Sequence, residues 1–205
     1  MTPRDALHHY FAFPEFRLGQ EAALNHALAG RDALVVMPTG SGKSLIYQLA
    51  ALLLPGAALV ISPLVALMKD QIDSLTRRNI PATFINSSLT TAEQAKRLRA
   101  LAEGKYKIIL VAPERLRSRP FREALARVQL NLLAVDEAHC LSQWGHDFRP
   151  DYLYIAEARR DFNAPLTLAL TATATPRVQD DIIAKLGLPH AEKIVTGFNR
   201  PNLTF

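Results

Sequence analysis

The stretch Met37-Pro38-Thr39-Gly40-Ser41-Gly42-Lys43-Ser44 decides how the rest of this chain is read. The apolar run Ala33–Met37 leads into it and predicts a strand. The segment Lys43–Leu54 leads out of it and predicts a helix. A strand, a glycine-rich turn, Gly-Lys-Ser and a helix, in that order, form the context of a phosphate-binding loop. Gly40 and Gly42 let the backbone bend so that its N–H groups, those of Thr39 and Ser41 included, face a phosphate. The helix behind adds the positive end of its dipole. Lys43 can reach the β- and γ-phosphates of a nucleotide, and the Ser44 hydroxyl can ligate Mg²⁺. The general pattern opens on glycine; this chain has Met37 there.

Outward from the loop, short apolar runs alternate with longer helical segments. Strands are expected at Ala57–Ser62, Ala82–Ile85, Lys107–Val111, Asn131–Val135 and Leu166–Leu170 as well. Continuous apolar runs of this length suit parallel strands buried on both faces. Helices are expected at Val65–Arg78, Thr91–Glu103, Phe121–Val128, Tyr152–Phe162 and Pro176–Leu186, with a helical lead-in over residues 1–30. Thr91 with Gln94 suggests a capping box, and Thr175 before Pro176 an N-cap with proline at the first helical position. Such alternation implies right-handed crossovers and an α/β fold, a mostly parallel sheet with helices on both faces. Its ligands bind at the carboxyl ends of the strands. No repeat or linker divides the 205 residues, so one domain is expected.

The second chemical feature is Asp136-Glu137-Ala138-His139, directly after Asn131–Val135. Both carboxylates then lie at a strand's carboxyl end, where the phosphate loop also ends. Asp136 can hold Mg²⁺ through water, and Glu137 can act as general base on the attacking water. A few residues on, Trp144-Gly145-His146-Asp147-Phe148-Arg149 interleaves rings with charge. Bases stack on rings and arginine neutralises phosphate, so the segment suits single-stranded nucleic acid. On composition alone, a loop whose Trp144 and Phe148 plug the core fits equally well. Ser62 stands where a strand gives way to a helix N-terminus able to take a nucleic-acid phosphate. Thr171 and Thr173 follow another strand, where their hydroxyls can link the Mg²⁺ site to the nucleic-acid face; simple capping is the alternative for these and for Ser62.

The chain carries 24 Lys and Arg against 19 Asp and Glu, a net charge of +5. That excess permits nucleic-acid binding without requiring it. The single cysteine, Cys140, excludes an internal disulfide framework or four-cysteine zinc site and fits a reducing, intracellular compartment. It reads as a small packed hydrophobe. The N-terminus lacks the apolar core of a secretory signal, and Leu45–Leu54 is too short to span a bilayer. A soluble protein without a membrane partner is expected.

Taken in order, Phe16-Arg17-Leu18-Gly19-Gln20, the phosphate loop, Ser62–Gln71, Ala112-Pro113-Glu114-Arg115-Leu116, Asp136–His139, Ser142–Pro150, Ala169–Ala174 and Phe198-Asn199-Arg200-Pro201-Asn202 resemble the successive motifs of the first RecA-like domain of RecQ-type DNA helicases. The match runs nearly end to end, and Ser142–Pro150 is its most particular part. The resemblance implies a RecA-like fold and an ATP- and Mg²⁺-dependent activity on single-stranded and partial-duplex DNA, in repair or recombination. It assigns Gln20 to the adenine edge and Arg17 to stacking on the ring. Phe13 stands where the family usually has a stacking tyrosine, and Ala12 where it usually has glycine. On residues alone, Phe11, Phe13 and Phe16 read as core packing. The Ser142–Pro150 loop becomes the element coupling DNA to the γ-phosphate. The resemblance further implies a second RecA-like domain after Asn202, a monomer, and work in the bacterial nucleoid or eukaryotic nucleus. No zinc is expected in this chain. Two other readings stand: an ATP-gated nucleic-acid binding module that never unwinds, and an RNA helicase. RNA helicases of the DEAD and DEAH groups usually carry Ser-Ala-Thr where this chain has Thr171-Ala172-Thr173.

Overall fold

The computed structural model describes residues 1–163 and 165–197. The motif Phe198–Asn202 lies outside the described residues. The elements run α1 (Pro3–Phe11), α2 (Gln20–Leu28), β1 (Ala33–Val36), α3 (Lys43–Leu53), β2 (Ala57–Ile61), α4 (Val65–Arg77), β3 (Ala82–Ile85), α5 (Thr91–Ala102), β4 (Ile108–Val111), α6 (Arg119–Leu125), β5 (Leu130–Val135), α7 (Tyr154–Asp161), β6 (Leu166–Thr171), α8 (Pro176–Leu186) and β7 (Glu192–Val195). The strands form one sheet in the order β3-β4-β2-β5-β6-β1-β7, parallel throughout.

Pleating divides the core in two. Ala33, Val35, Val60, Leu110 and Leu168 face a cluster with Leu7, Leu24, Ile46 and Met68, which places α1–α4 on one side. Leu34, Val36, Ile61, Val111 and Ala169 face the other cluster, with Leu101, Phe121, Ile155 and Ile182 of α5–α8. Strands covered on both faces explain the continuous apolar runs. Among the described residues, no helix is long and apolar enough to cross a membrane.

Three local expectations are corrected. The capping box of α5 is Thr90 with Glu93, not Thr91 with Gln94: the Glu93 N–H donates to Thr90 Oγ1 and the Thr90 N–H to Glu93 Oε2. A charged carboxylate in the first turn also answers the helix dipole, which the Gln94 amide does only weakly. Helix α6 begins two residues before Phe121, with Pro120 in its first turn, where a missing N–H costs nothing, and it ends at Leu125. Tyr152 lies in a 3₁₀ turn, Pro150–Leu153, and α7 proper starts at Tyr154. Strand β7 was not expected.

Candidate active site

The sheet order sets the site. Strand β6 lies between β1 and β5, so the carboxyl ends of β2, β5, β6 and β1 present Ser62, Asp136–Glu137, Thr171 and the phosphate loop side by side. The row is tied by main-chain bonds: Met37 N–H to Thr171 O at 3.1 Å, and Asp136 N–H to Ile61 O at 2.8 Å. Residues far apart in sequence thus meet at one edge, as parallel sheets require of a ligand site.

The phosphate loop turns on Gly40 (φ 80°) and Gly42 (φ 82°), both in the left-handed region. A Cβ on Gly42 would also stand 2.5 Å from Gln20 Nε2. Met37, in the place of the pattern's first glycine, buries its side chain completely and leaves its carbonyl at the loop. Gln20, 2% exposed, donates to Ser41 O (3.0 Å) and Gly42 O (3.1 Å) and accepts from Arg17 N–H (2.8 Å). The Arg17 guanidinium donates to Gly40 O at 2.6 Å. The residues that the resemblance assigned to adenine are therefore bound to the phosphate loop's own carbonyls. Phe13, Phe16, Arg17, Gln20, Gly42 and Leu45 line a cavity of about 590 Å³ beside them. Phe11 packs into the core, whereas Phe13 is 46% exposed at the cavity. Between them Ala12 takes φ 57°, ψ 29° at the end of α1. That left-handed geometry explains why glycine suits the position.

Lys43 hydrogen-bonds Met37 O (3.0 Å) and Pro38 O (3.3 Å). Burial pulls its pKa down, against the fields of Glu137 and Asp136. Asp136 is buried; desolvation and the neighbouring Glu137 charge push its pKa up to about 6, against the Glu137 N–H, Lys43 and Ser62. Ser62 Oγ lies 3.4 Å from Asp136 Oδ2 and is itself buried, as is Thr171. Both hydroxyls are thus enclosed at the carboxyl ends of β2 and β6, with that of Ser62 turned to Asp136. The Ser41 hydroxyl is buried without a hydrogen-bond partner. An orphaned donor in the cradle and a desolvated carboxylate across from Lys43 fit a phosphate–Mg²⁺ group. Ser41, Lys43, Ser44 and Asp136 would hold it. A carboxylate must be deprotonated to serve such a cation. The expected result is that affinity for Mg²⁺–nucleotide stays level above about pH 7 and falls roughly tenfold per unit below about pH 6. Nucleotide titrations across pH check this, and Asp136→Asn should lack the step.

Glu137 adopts φ 49°, ψ 46°, a conformation that costs a non-glycine residue about 1–3 kcal/mol and persists where surroundings enforce it. The enforcing groups include Tyr152, whose phenol donates to Asp136 O at 2.9 Å. His139, which sequence reasoning passed over, joins the site. Its Nδ1 lies 2.8 Å from Thr171 Oγ1 and 3.3 Å from Glu137 Oε2. Burial and the nearby His146 push its pKa down to about 4, so the ring is neutral at pH 7. The Glu137 carboxylate can only accept, and Thr171 Oγ1 can turn its own proton to Thr173 O (3.2 Å), so both neighbours favour the ring proton on Nδ1. A continuous path therefore runs Glu137–His139–Thr171–Thr173. The signal was the histidine two residues after Glu137, opposite a threonine strand end.

The path continues into the ring-and-charge loop. The His146 ring stacks on His139 with centroids 4.3 Å apart. Gly145 packs so closely that a Cβ there would meet His139 O at 2.6 Å. Arg149 holds Asp147 through two N–H bonds of 2.9 and 3.1 Å. Trp144 is 61% exposed, so it does not plug the core. Cys140 is buried, and burial pushes its thiol up to about 12, as an inert packed side chain requires.

Residues 17–182 match the family model described as DEAD/DEAH box helicase. The chain is 47% identical over 201 residues to the ATP-dependent DNA helicase RecQ of Bacillus subtilis, covering 97% of this chain and 34% of that protein. It is 44% identical over 204 residues to the protein of the same name from Haemophilus influenzae, covering 100% and 33%. The chain thus spans about a third of the length of these relatives. Among solved structures, the helicase domain of Hef from Pyrococcus furiosus superposes with a TM-score of 0.68 at 26% identity, covering 91% of this chain and 39% of that one. The DUF1998 helicase MrfA bound to DNA and AMPPNP superposes with a TM-score of 0.75 over 98% of this chain and 30% of that one; at 19% identity this speaks to the fold.

Proposed function

The chain belongs to the DEAD/DEAH box helicase family, and from that premise we propose that it is the nucleotide-binding motor domain of an ATP-dependent DNA helicase of the RecQ type. The observation that carries the proposal is the unbroken path from Glu137 through His139 to Thr171 and, by the His139–His146 stack, to the exposed loop at Trp144. Bound Mg²⁺ would neutralise charge on the phosphates. The protein's own part is to cradle the phosphates with residues 39–44 and to orient and deprotonate the attacking water at a Glu137 oxygen. Single-stranded DNA stacks on Trp144 and Phe148 and gives phosphates to the basic groups beside them. Thr173, exposed at the end of the path, carries the change in position outward.

We assign unwinding to the parent protein, at the sites where DNA is repaired or recombined. The 205-residue chain alone is expected to hydrolyse ATP slowly and to unwind nothing. Phosphoryl transfer also needs positive charge at the outer face of the γ-phosphate, worth about 10³–10⁵ in rate. An arginine to carry that charge, and the second grip on the strand, would come from a partner RecA-like domain. The test is steady-state ATP turnover by the parent with single-stranded DNA, with RNA of the same sequence and with neither. DNA should stimulate and RNA should not. Stimulation by RNA alone would make the protein an RNA motor, and stimulation by neither would reduce the loop to structure.

A further inference from the structure

The coupling loop rests on α8 through three residues spaced four apart, Arg177, Asp181 and Lys185, which share one helix face. The Arg177 guanidinium carbon lies 3.5 Å from the centroid of the Trp144 ring. Burial works to raise the Asp181 carboxyl, yet hydrogen bonds from Ser142 and Lys185 outweigh it and hold it below the usual carboxylate range. Lys185 donates to Leu141 O at 3.0 Å and to Asp181 Oδ2 at 2.9 Å, with its ammonium 5.9 Å from the Phe148 ring centroid. One helix thus holds the loop at Leu141, Ser142, Trp144 and Phe148, and that helix follows directly from the Thr171–Thr173 segment.

Trp144 keeps 61% of its surface although a guanidinium covers one face, so its opposite face is open. A planar cation stacked behind an indole fixes the ring's tilt without hiding the face that a base would use. We propose that Arg177 is a positioning residue for single-stranded nucleic acid: it back-stacks Trp144 and holds the free face outward as a preformed platform for one base, while Asp181 and Lys185 anchor the loop beneath. The inference rests on the reading of this loop as a DNA element. Pre-ordering the ring spares a strand the entropy of ordering it, an advantage of about three- to tenfold in affinity. A phosphate contact by Arg177 alone would need only its charge.

Trp144 is the chain's single tryptophan, so its emission reports the platform directly. The experiment measures acrylamide quenching of that emission, then titrates an oligothymidylate into the 205-residue chain and its Arg177→Ala and Arg177→Lys variants. Far-UV circular dichroism checks that each variant is folded. Both variants should show stronger quenching and a roughly three- to tenfold weaker apparent affinity, with the lysine variant keeping the parental salt dependence. Parental quenching and affinity in Arg177→Lys would show that charge suffices and overturn the platform. Unchanged quenching in Arg177→Ala would do the same. If oligothymidylate leaves the parental emission untouched, the DNA reading of the loop fails first, and the platform with it.

Discussion

Glu137→Gln is expected to lower ATP turnover by the parent protein about 10²–10⁴-fold while Mg²⁺–nucleotide binding persists. The amide keeps the side chain's shape and can still accept from the His139 imidazole, 3.3 Å from Glu137 Oε2. It cannot take a proton from water. The left-handed backbone at residue 137 is no harder for glutamine than for glutamate, so the fold should survive the exchange. Phosphate release in single-turnover and steady-state assays reads the effect, and parental turnover in the variant would remove Glu137 from the role of base. The expectation separates chemistry from binding, because Asp136 and not Glu137 is the buried carboxylate that meets Ser62, although Lys43 feels the charge of both.

Lys43→Ala should weaken nucleotide binding by about 2–3 kcal/mol, some 30- to 150-fold. The ammonium is half-buried, and its hydrogen bonds to Met37 O and Pro38 O keep it at the loop's mouth. A triphosphate offers it a charged acceptor in place of two neutral carbonyls, and charge-assisted bonds are the stronger kind. Isothermal titration with a non-hydrolysable nucleotide and Mg²⁺ checks the loss. Unchanged affinity would mean that the loop does not hold phosphate.

The phosphate loop, the two carboxylates and the parallel sheet were legible in the sequence because each has a local signature. Ala33–Val36 and Ile108–Val111 are apolar throughout, as strands buried on both faces must be, and Gly-Lys-Ser at a strand–helix junction has few other uses. Strand β7 escaped because Glu192-Lys193-Ile194-Val195 sits at the sheet's edge, largely exposed, and so carries no continuous apolar run. Gln20 and Arg17 entered only through the family resemblance, and their bonds to Ser41, Gly42 and Gly40 depend on how α2 packs on α3, which no local pattern encodes. His139 and Arg177 belong to the same class. Each acts by meeting a residue more than thirty positions away, Thr171 and Trp144, and only the strand order that sets β6 beside β5 makes those meetings visible. Ala12 shows the reverse case: a departure from the family's glycine is resolved by a φ of 57°, tolerated at a helix end.

The central claim is that nucleotide and DNA sites are one coupled system, joined through Glu137, His139 and Thr171. The most direct measurement is the affinity of this chain for a labelled single-stranded oligonucleotide with and without a saturating non-hydrolysable ATP analogue and Mg²⁺. Coupling between two sites is reciprocal and typically amounts to about 5- to 150-fold. The account predicts a shift of at least about fivefold, abolished by His139→Ala. Equal DNA affinity with and without nucleotide would contradict it.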